Sequence, residues 1–179
     1  LHRFPLEGRQ VDLQFSYSQP YVNVVKEKIE PRQSSQSILQ LGYQFPCQYG
    51  DKDYFALIVF NAMFGEFAHS ALFTTLREKE GLAYSISSQF DIFTGLLEVY
   101  AGIEKSNRNQ AMRGISRELN YIKLGRFSSS LLNQTKKIIR MNALLSEDHA
   151  LTLVEQRFNK VIFGDKSLSL EHWLDEIEK

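Results

Sequence analysis

In the stretch LREKEGLAYS, Leu76 to Ser85, a cation at Arg77 and a phenol at Tyr84 stand seven residues apart, across what reads as the junction of a helix and a strand. A guanidinium offers several fixed donors and stays charged at any working pH, so it can hold carbonyls or acidic groups by directional hydrogen bonds. A tyrosine hydroxyl can donate to an oxyanion without bringing net charge. Losing one such donor typically costs roughly 3–4 kcal/mol of transition-state stabilisation. Residue types alone leave both positions open. An arginine near a helix C-terminus is favourable against the macrodipole with no substrate present. Alternation puts Tyr84 on the strand face of Leu82 and Ile86, where a core aromatic would also stand.

Other chemistry is missing from the chain. The histidines are His2, His69, His149 and His172, and no two have the three- or four-residue spacing that sets both imidazoles on one helix face for zinc. The nearest approach to an inverted zinc motif is LSLEH at Leu168 to His172, where H-x-x-E-H would need histidine at Leu168. Leucine cannot ligate a metal, so Glu171 and His172 read as an exposed pair. No phosphate-cradling glycine loop and no G-x-S-x-G elbow occurs. Cys47 follows a proline with no neighbouring histidine to activate its thiol.

The elements that would position Arg77 and Tyr84 follow from periodicity. Val11, Leu13, Phe15 and Tyr17 alternate as a strand, and Leu39, Leu41, Tyr43 and Phe45 as a second. Asp51 or Asp53 can cap a helix over Tyr54 to Phe64, apolar nearly all round and so buried on more than one side. A helix over about Ala68 to Glu80 turns Leu72, Phe73 and Leu76 inward, with Gly81 suited to the left-handed position after its end. LAYSISSQF and LLEVYAGI form a hairpin around Thr94 and Gly95. Four helices complete the chain. Met112, Ile115, Leu119 and Ile122 mark the first, ended by Gly125, and the Ser128–Ser130 cluster caps the next, which holds Leu132 and Ile139. Leu151, Val154, Phe158 and Val161 form a stripe before Gly164, and the last helix buries Leu170, Trp173 and Ile177. The predicted class is α+β, a mostly antiparallel sheet with helices packed on one face.

At 179 residues the chain reads as one domain. Its 21 basic residues equal its 21 acidic ones, so nothing favours nucleic acid or an anionic membrane as partner. No apolar run approaches a membrane span. The single Cys47 excludes an internal disulfide and fits a reducing, cytoplasmic compartment. The opening LHRFPLEGRQ has neither an initiator methionine nor a targeting pattern, as expected of a piece of something longer.

From Ile58 to Ile103 the order of motifs becomes specific. An apolar helix ends in a glycine-bearing loop, then come Ser70, Leu72 and Phe73, then Leu76-Arg77-Glu78, then Gly81-Leu82-Ala83-Tyr84. This run resembles the C-terminal homologous half of the insulinase/pitrilysin zinc peptidases, which include mitochondrial processing peptidase. The resemblance covers about Gln33 to Lys179. AHSALF, REKEGLAYSISS and FTGLLEVYAGIE are similar to the bacterial subgroup associated with elongation factor P modification. The resemblance implies two similar halves facing one another across a chamber. The N-terminal half bears the zinc and its glutamate base, and the C-terminal half closes over a peptide substrate. It also implies that Arg77 and Tyr84 reach the active site to bind the peptide backbone and stabilise the tetrahedral intermediate. Phe67 and His69 would line the chamber, although a lone loop histidine is more often simply solvated; no metal would bind in this chain, and zinc would sit in a partner half or subunit. A peptidase-derived scaffold with no chemistry is the alternative. Glu66, Phe67 and Ala71 depart from the family's usual residues, which speaks against a mobile glycine loop selecting substrate.

Overall fold

The computed structural model describes Val22 and residues 24–146, 150–164 and 168–179; the alternating Val11–Tyr17 run lies outside them, as do His2 and His149. Three strands, β1 (Ser37–Gln44), β2 (Ala83–Asp91) and β3 (Leu96–Ile103), pair antiparallel in the order β1-β3-β2. β2 and β3 are joined by the expected hairpin, with Gly95 at φ +66°. In that turn the Asp91 carboxylate accepts the Phe93 amide at 2.9 Å. The register sets Leu41 opposite Val99 and Ile86 opposite Ala101. One face of the sheet is therefore mostly apolar, with the buried Ser88 as a polar member opposite Val99. The opposite face presents Gln40, Tyr100 and Ser87 in one row, all exposed.

Helices cover the apolar face, giving the α+β arrangement the sequence predicts. α1 (Tyr54–Asn61) opens into a π-helical segment at Ala62–Glu66, and a second π-helical segment spans Phe73–Lys79. Phe64 and Leu76 from these segments, with Leu72 just before the second, are fully buried with Leu97, Val99 and Ala101 of β3 in one apolar cluster. Burying one leucine or phenylalanine side chain is worth about 1.5–3 kcal/mol, so this layer fixes where the helix leading to Arg77 must end. α2 (Arg108–Lys123) adds Ile115 and Ile122 to the cluster. α3 (Ser129–Ser146) starts where the Ser128 hydroxyl accepts the Leu131 amide, and it adds Ile139. α5 (Leu170–Glu178) is capped by Ser169 and buries Leu174 and Ile177.

Two details differ from expectation. Asp53 occupies the N-cap of α1, but its side chain makes no capping bond; Asp51 instead accepts the Gln48 amide at 2.8 Å, tightening the preceding turn. The helix α4 (Ala150–Phe163) forms as its periodicity predicts but buries none of its residues. Its apolar stripe points outward, leaving Leu151 70%, Phe158 57% and Val161 83% exposed. α4 is held through Phe163, whose ring stacks on Tyr49 at 4.2 Å. No helix among the described residues is long and apolar enough to cross a membrane.

Candidate functional site

Arg77 sits in the π-helical segment Phe73–Lys79. A π-helix widens the backbone ring by one residue, a costly geometry found mostly in short segments and often at functional sites. The segment closes with the Glu80 amide bonded to the Thr75 carbonyl at 2.9 Å. Gly81 then takes φ +61°, a left-handed turn that glycine enters without a Cβ penalty. Beyond it the Leu82 amide returns to the Leu76 carbonyl at 2.8 Å, so the end of the helix is pinned to the start of β2. Arg77 and Tyr84 flank that junction.

The surroundings of Arg77 leave its charge uncompensated. Glu80, three residues on, is engaged by Arg117 of α2 at 2.6 Å. Arg77 itself is exposed, lies 4.6 Å over the Phe73 ring, and has no hydrogen bond or ion pair among the described residues. A cation over a ring face keeps its N–H groups available at its edge.

Tyr84 owes its direction to a β-bulge. The β2–β3 register runs Ala83 to Ile103 and then Ser85 to Gly102, which leaves Tyr84 as the extra residue. A bulge breaks alternation and re-aims one side chain. Ala83 and Ile86 are buried, while Tyr84 and Ser85 between them both face solvent, with Tyr84 50% exposed. Strict alternation would have given Tyr84 the core position; the bulge removes it. Its hydroxyl donates to Glu104 Oε1 at 3.0 Å, and that carboxylate holds the phenol pKa above its ordinary value.

Phe67 and His69 lie in the loop between the two π segments and are occupied inside the fold. Their rings stack at 5.6 Å, and His69 Nε2 is 2.9 Å from the hydroxyl of Thr135, a fully buried residue of α3. Burial lowers the imidazole pKa of His69. Phe67 forms part of the wall of a cavity of about 700 Å³, shared with Tyr54, Trp173 and the inward side of α4. No hydrogen bond, ion pair or ring contact joins Phe67 or His69 to Arg77 or Tyr84.

Among the described residues no group of three or more histidine, cysteine or acidic side chains is arranged to hold a metal ion. Cys47 is buried, and burial together with Asp51 and Asp53 pushes its thiol pKa up, the reverse of activation. Among the described residues the His172 imidazole meets Glu176, at 3.9 Å on the surface of α5.

Residues 7–139 match the family described as the peptidase M16 inactive domain. The chain belongs to that family. It is 39% identical over 153 residues to a Bacillus subtilis (strain 168) protein named "Probable inactive metalloprotease YmfF", covering 86% of this chain and 36% of that protein. A conserved protein from Enterococcus faecalis V583 has the same fold at TM-score 0.88 and 41% identity, covering 91% of this chain and 38% of the other. The peptidase M16 inactive domain from Pseudomonas fluorescens matches in fold at TM-score 0.65 and 21% identity, over 89% of this chain and 39% of its own. This M16 domain thus spans about a third of the length of the curated relatives it matches.

The sequence did not reveal two residues that the M16 domain places beside the candidate pair. Glu104, bonded to Tyr84, follows β3 by one residue, and Arg117 withdraws Glu80 from Arg77. Glu98, Tyr100, Gly102 and Glu104 stand at alternate positions, so the strand period could have placed Glu104 on the open side. The bulge at Tyr84 has no signature in LAYSISS.

Proposed function

We propose that this M16 domain is the substrate-closing half of a two-half zinc peptidase, presenting Arg77 and Tyr84 to a peptide cleaved at zinc held elsewhere. The observation that carries the reading is the bulge at Ala83/Ser85, which turns Tyr84 out of the core at the junction where Arg77 has no ion pair among the described residues. Two irregularities, a π turn and a bulge, flank one glycine reversal; the bulge exposes a phenol that strict alternation would have buried, and the exposed guanidinium lies in the π segment just before the reversal. In this role the guanidinium holds backbone carbonyls of the bound peptide. The phenol donates to the oxyanion of the tetrahedral intermediate, and Glu104 keeps the hydroxyl protonated and oriented until the substrate replaces it. Zinc, bound by the other half, supplies the activated water. The single domain would then be the C-terminal half of a longer protein or of a paired subunit. A reducing bacterial cytoplasm is the setting consistent with the lone, buried Cys47 and with bacterial relatives.

A second reading has its own support. The family description and the first relative's name both contain the word inactive, and the Tyr84 proton is already engaged by Glu104. On that reading the domain shapes a chamber or holds a partner without contributing to catalysis. Reconstitution with a zinc-bearing M16 half that contains H-x-x-E-H separates the two. Arg77→Ala and Tyr84→Phe should each lower kcat/KM for peptide cleavage by about a hundredfold or more, the loss expected for one transition-state donor. Unchanged turnover in both variants establishes the scaffold.

A further inference from the structure

We propose that the cavity between α4 and the body of the domain binds a flat polycyclic aromatic anion, its rings against Tyr54 and Trp173 and its acid group held by Arg157 and Lys160. This site goes beyond the reading above. It lies among the helices, and no strand contributes a described residue to its wall.

The orientation of α4 is the starting point. An ordinary surface helix turns its apolar stripe to the core and its charged face to water. α4 does the reverse. Leu151, Val154, Phe158 and Val161 point outward, while Gln156, Arg157, Asn159 and Lys160 line the cavity. The helix is anchored at its C-terminal end, where the Phe163 ring stacks on Tyr49 and on Phe93. The space left beside it is about 700 Å³, within the roughly 300–1,000 Å³ of small-ligand pockets.

The wall has two kinds of surface. Tyr54, Phe67 and Trp173 contribute half-buried rings that neighbouring rings hold in place. Phe55 meets Tyr54 edge-on at 5.1 Å and Trp173 at 6.0 Å, and Phe67 stacks on His69. Ring faces fixed in this way take a flat ligand at little cost in ordering. The α4 side carries charge instead. Arg157 and Lys160 form no ion pair among the described residues. Glu66 is the one carboxylate among the described wall residues, and the Asn61 amide already donates to its Oε2 at 2.9 Å. Positive charge is thus in excess, and a guanidinium offers paired donors to a carboxylate, sulfonate or phosphate.

Trp173 is the single tryptophan of the chain, so energy transfer from it to a bound dye reports binding. The probes are anilinonaphthalene sulfonate and phenylnaphthylamine, the same ring system with and without the acid group. The sulfonate should bind about tenfold tighter at low salt, although it is the less apolar of the two, and the gap should narrow at about 0.3 M salt. Arg157→Gln and Lys160→Gln should each weaken the sulfonate about threefold. Lys123→Gln, at an exposed position ending α2, and Phe158→Gln, on the outer stripe of α4, should leave it unchanged. The proposal is overturned by any of four results: no energy transfer, an uncharged probe that binds as tightly, unchanged affinity in both Arg157→Gln and Lys160→Gln, or an equal loss in either control. The assay needs neither zinc nor peptide, so its failure leaves the Arg77 and Tyr84 reading standing, and the reverse holds for the turnover assay.

Discussion

A phenol has one proton to donate, and in Tyr84 it is directed at Glu104. That contact sets what the side chain can do, because an oxyanion must compete with a carboxylate for the same hydrogen. It also predicts a titration. Hydrogen bonding to Glu104 is the first cause of the raised phenol pKa, so Glu104→Gln should bring Tyr84 back toward the ordinary value of about 10. Ultraviolet titration, with Tyr84→Phe subtracted to isolate this residue, reads the shift directly. An unmoved profile would show that the pair does not form in solution. The equivalent question at Arg77 is answered by its neighbours. Glu80 would be the natural partner one turn on, but Arg117 holds it, and among the described residues the guanidinium is left with the Phe73 ring.

At the scale of elements, the site depends on how closely the first π segment approaches β2. Gly65 is buried there, and a Cβ on it would lie 2.6 Å from the Ser88 hydroxyl and 2.8 Å from the Ser88 amide nitrogen. The same contact includes a buried polar pair, in which the Ser88 hydroxyl donates to Asn61 Oδ1 at 2.8 Å. The clash is with backbone as well as side chain, so it cannot be relieved by a rotamer change alone. Gly65→Ala should destabilise the fold by about 1–3 kcal/mol, seen as a lower denaturant midpoint with an unchanged slope. A variant as stable as the parent would mean that the segment has room to shift away from β2. The structure shows why this glycine is not a hinge: it is sealed against Ser88 of β2 and the Leu72 side chain. The departure at Glu66 and Phe67 agrees, since Phe67 is packed on His69 rather than free in a loop.

Over the whole molecule, the apolar surface is divided unequally. The sheet and the helices against it form one cluster, while α4 turns its stripe away from that cluster. A side chain already in water contributes little to folding. Phe158→Gln should therefore change stability by no more than about 0.5 kcal/mol. Leu76→Ala, at a fully buried position, should cost about 2–5 kcal/mol. Chemical denaturation of both variants measures the contrast. A large loss from Phe158→Gln would place that ring in the core instead. Periodicity found α4 because amphipathicity is local. It could not say which way the helix faces, because orientation depends on what lies beside it.

The residues by themselves determined β1, β2 and β3, the order of the described helices and the glycine reversal at Gly81, since each follows from short-range spacing and backbone sterics. The ordered run from Ser70 to Tyr84 likewise sufficed to point to the family. Whether Tyr84 is core or surface, and whether Arg77 is paired or free, was decided only in three dimensions. The first depends on one extra residue in a register that β2 shares with β3. The second depends on an arginine 40 positions away in the chain that takes the carboxylate of Glu80, one turn on from Arg77. Pairing partners distant in sequence leave no trace in local pattern, and those partners aim the two donors.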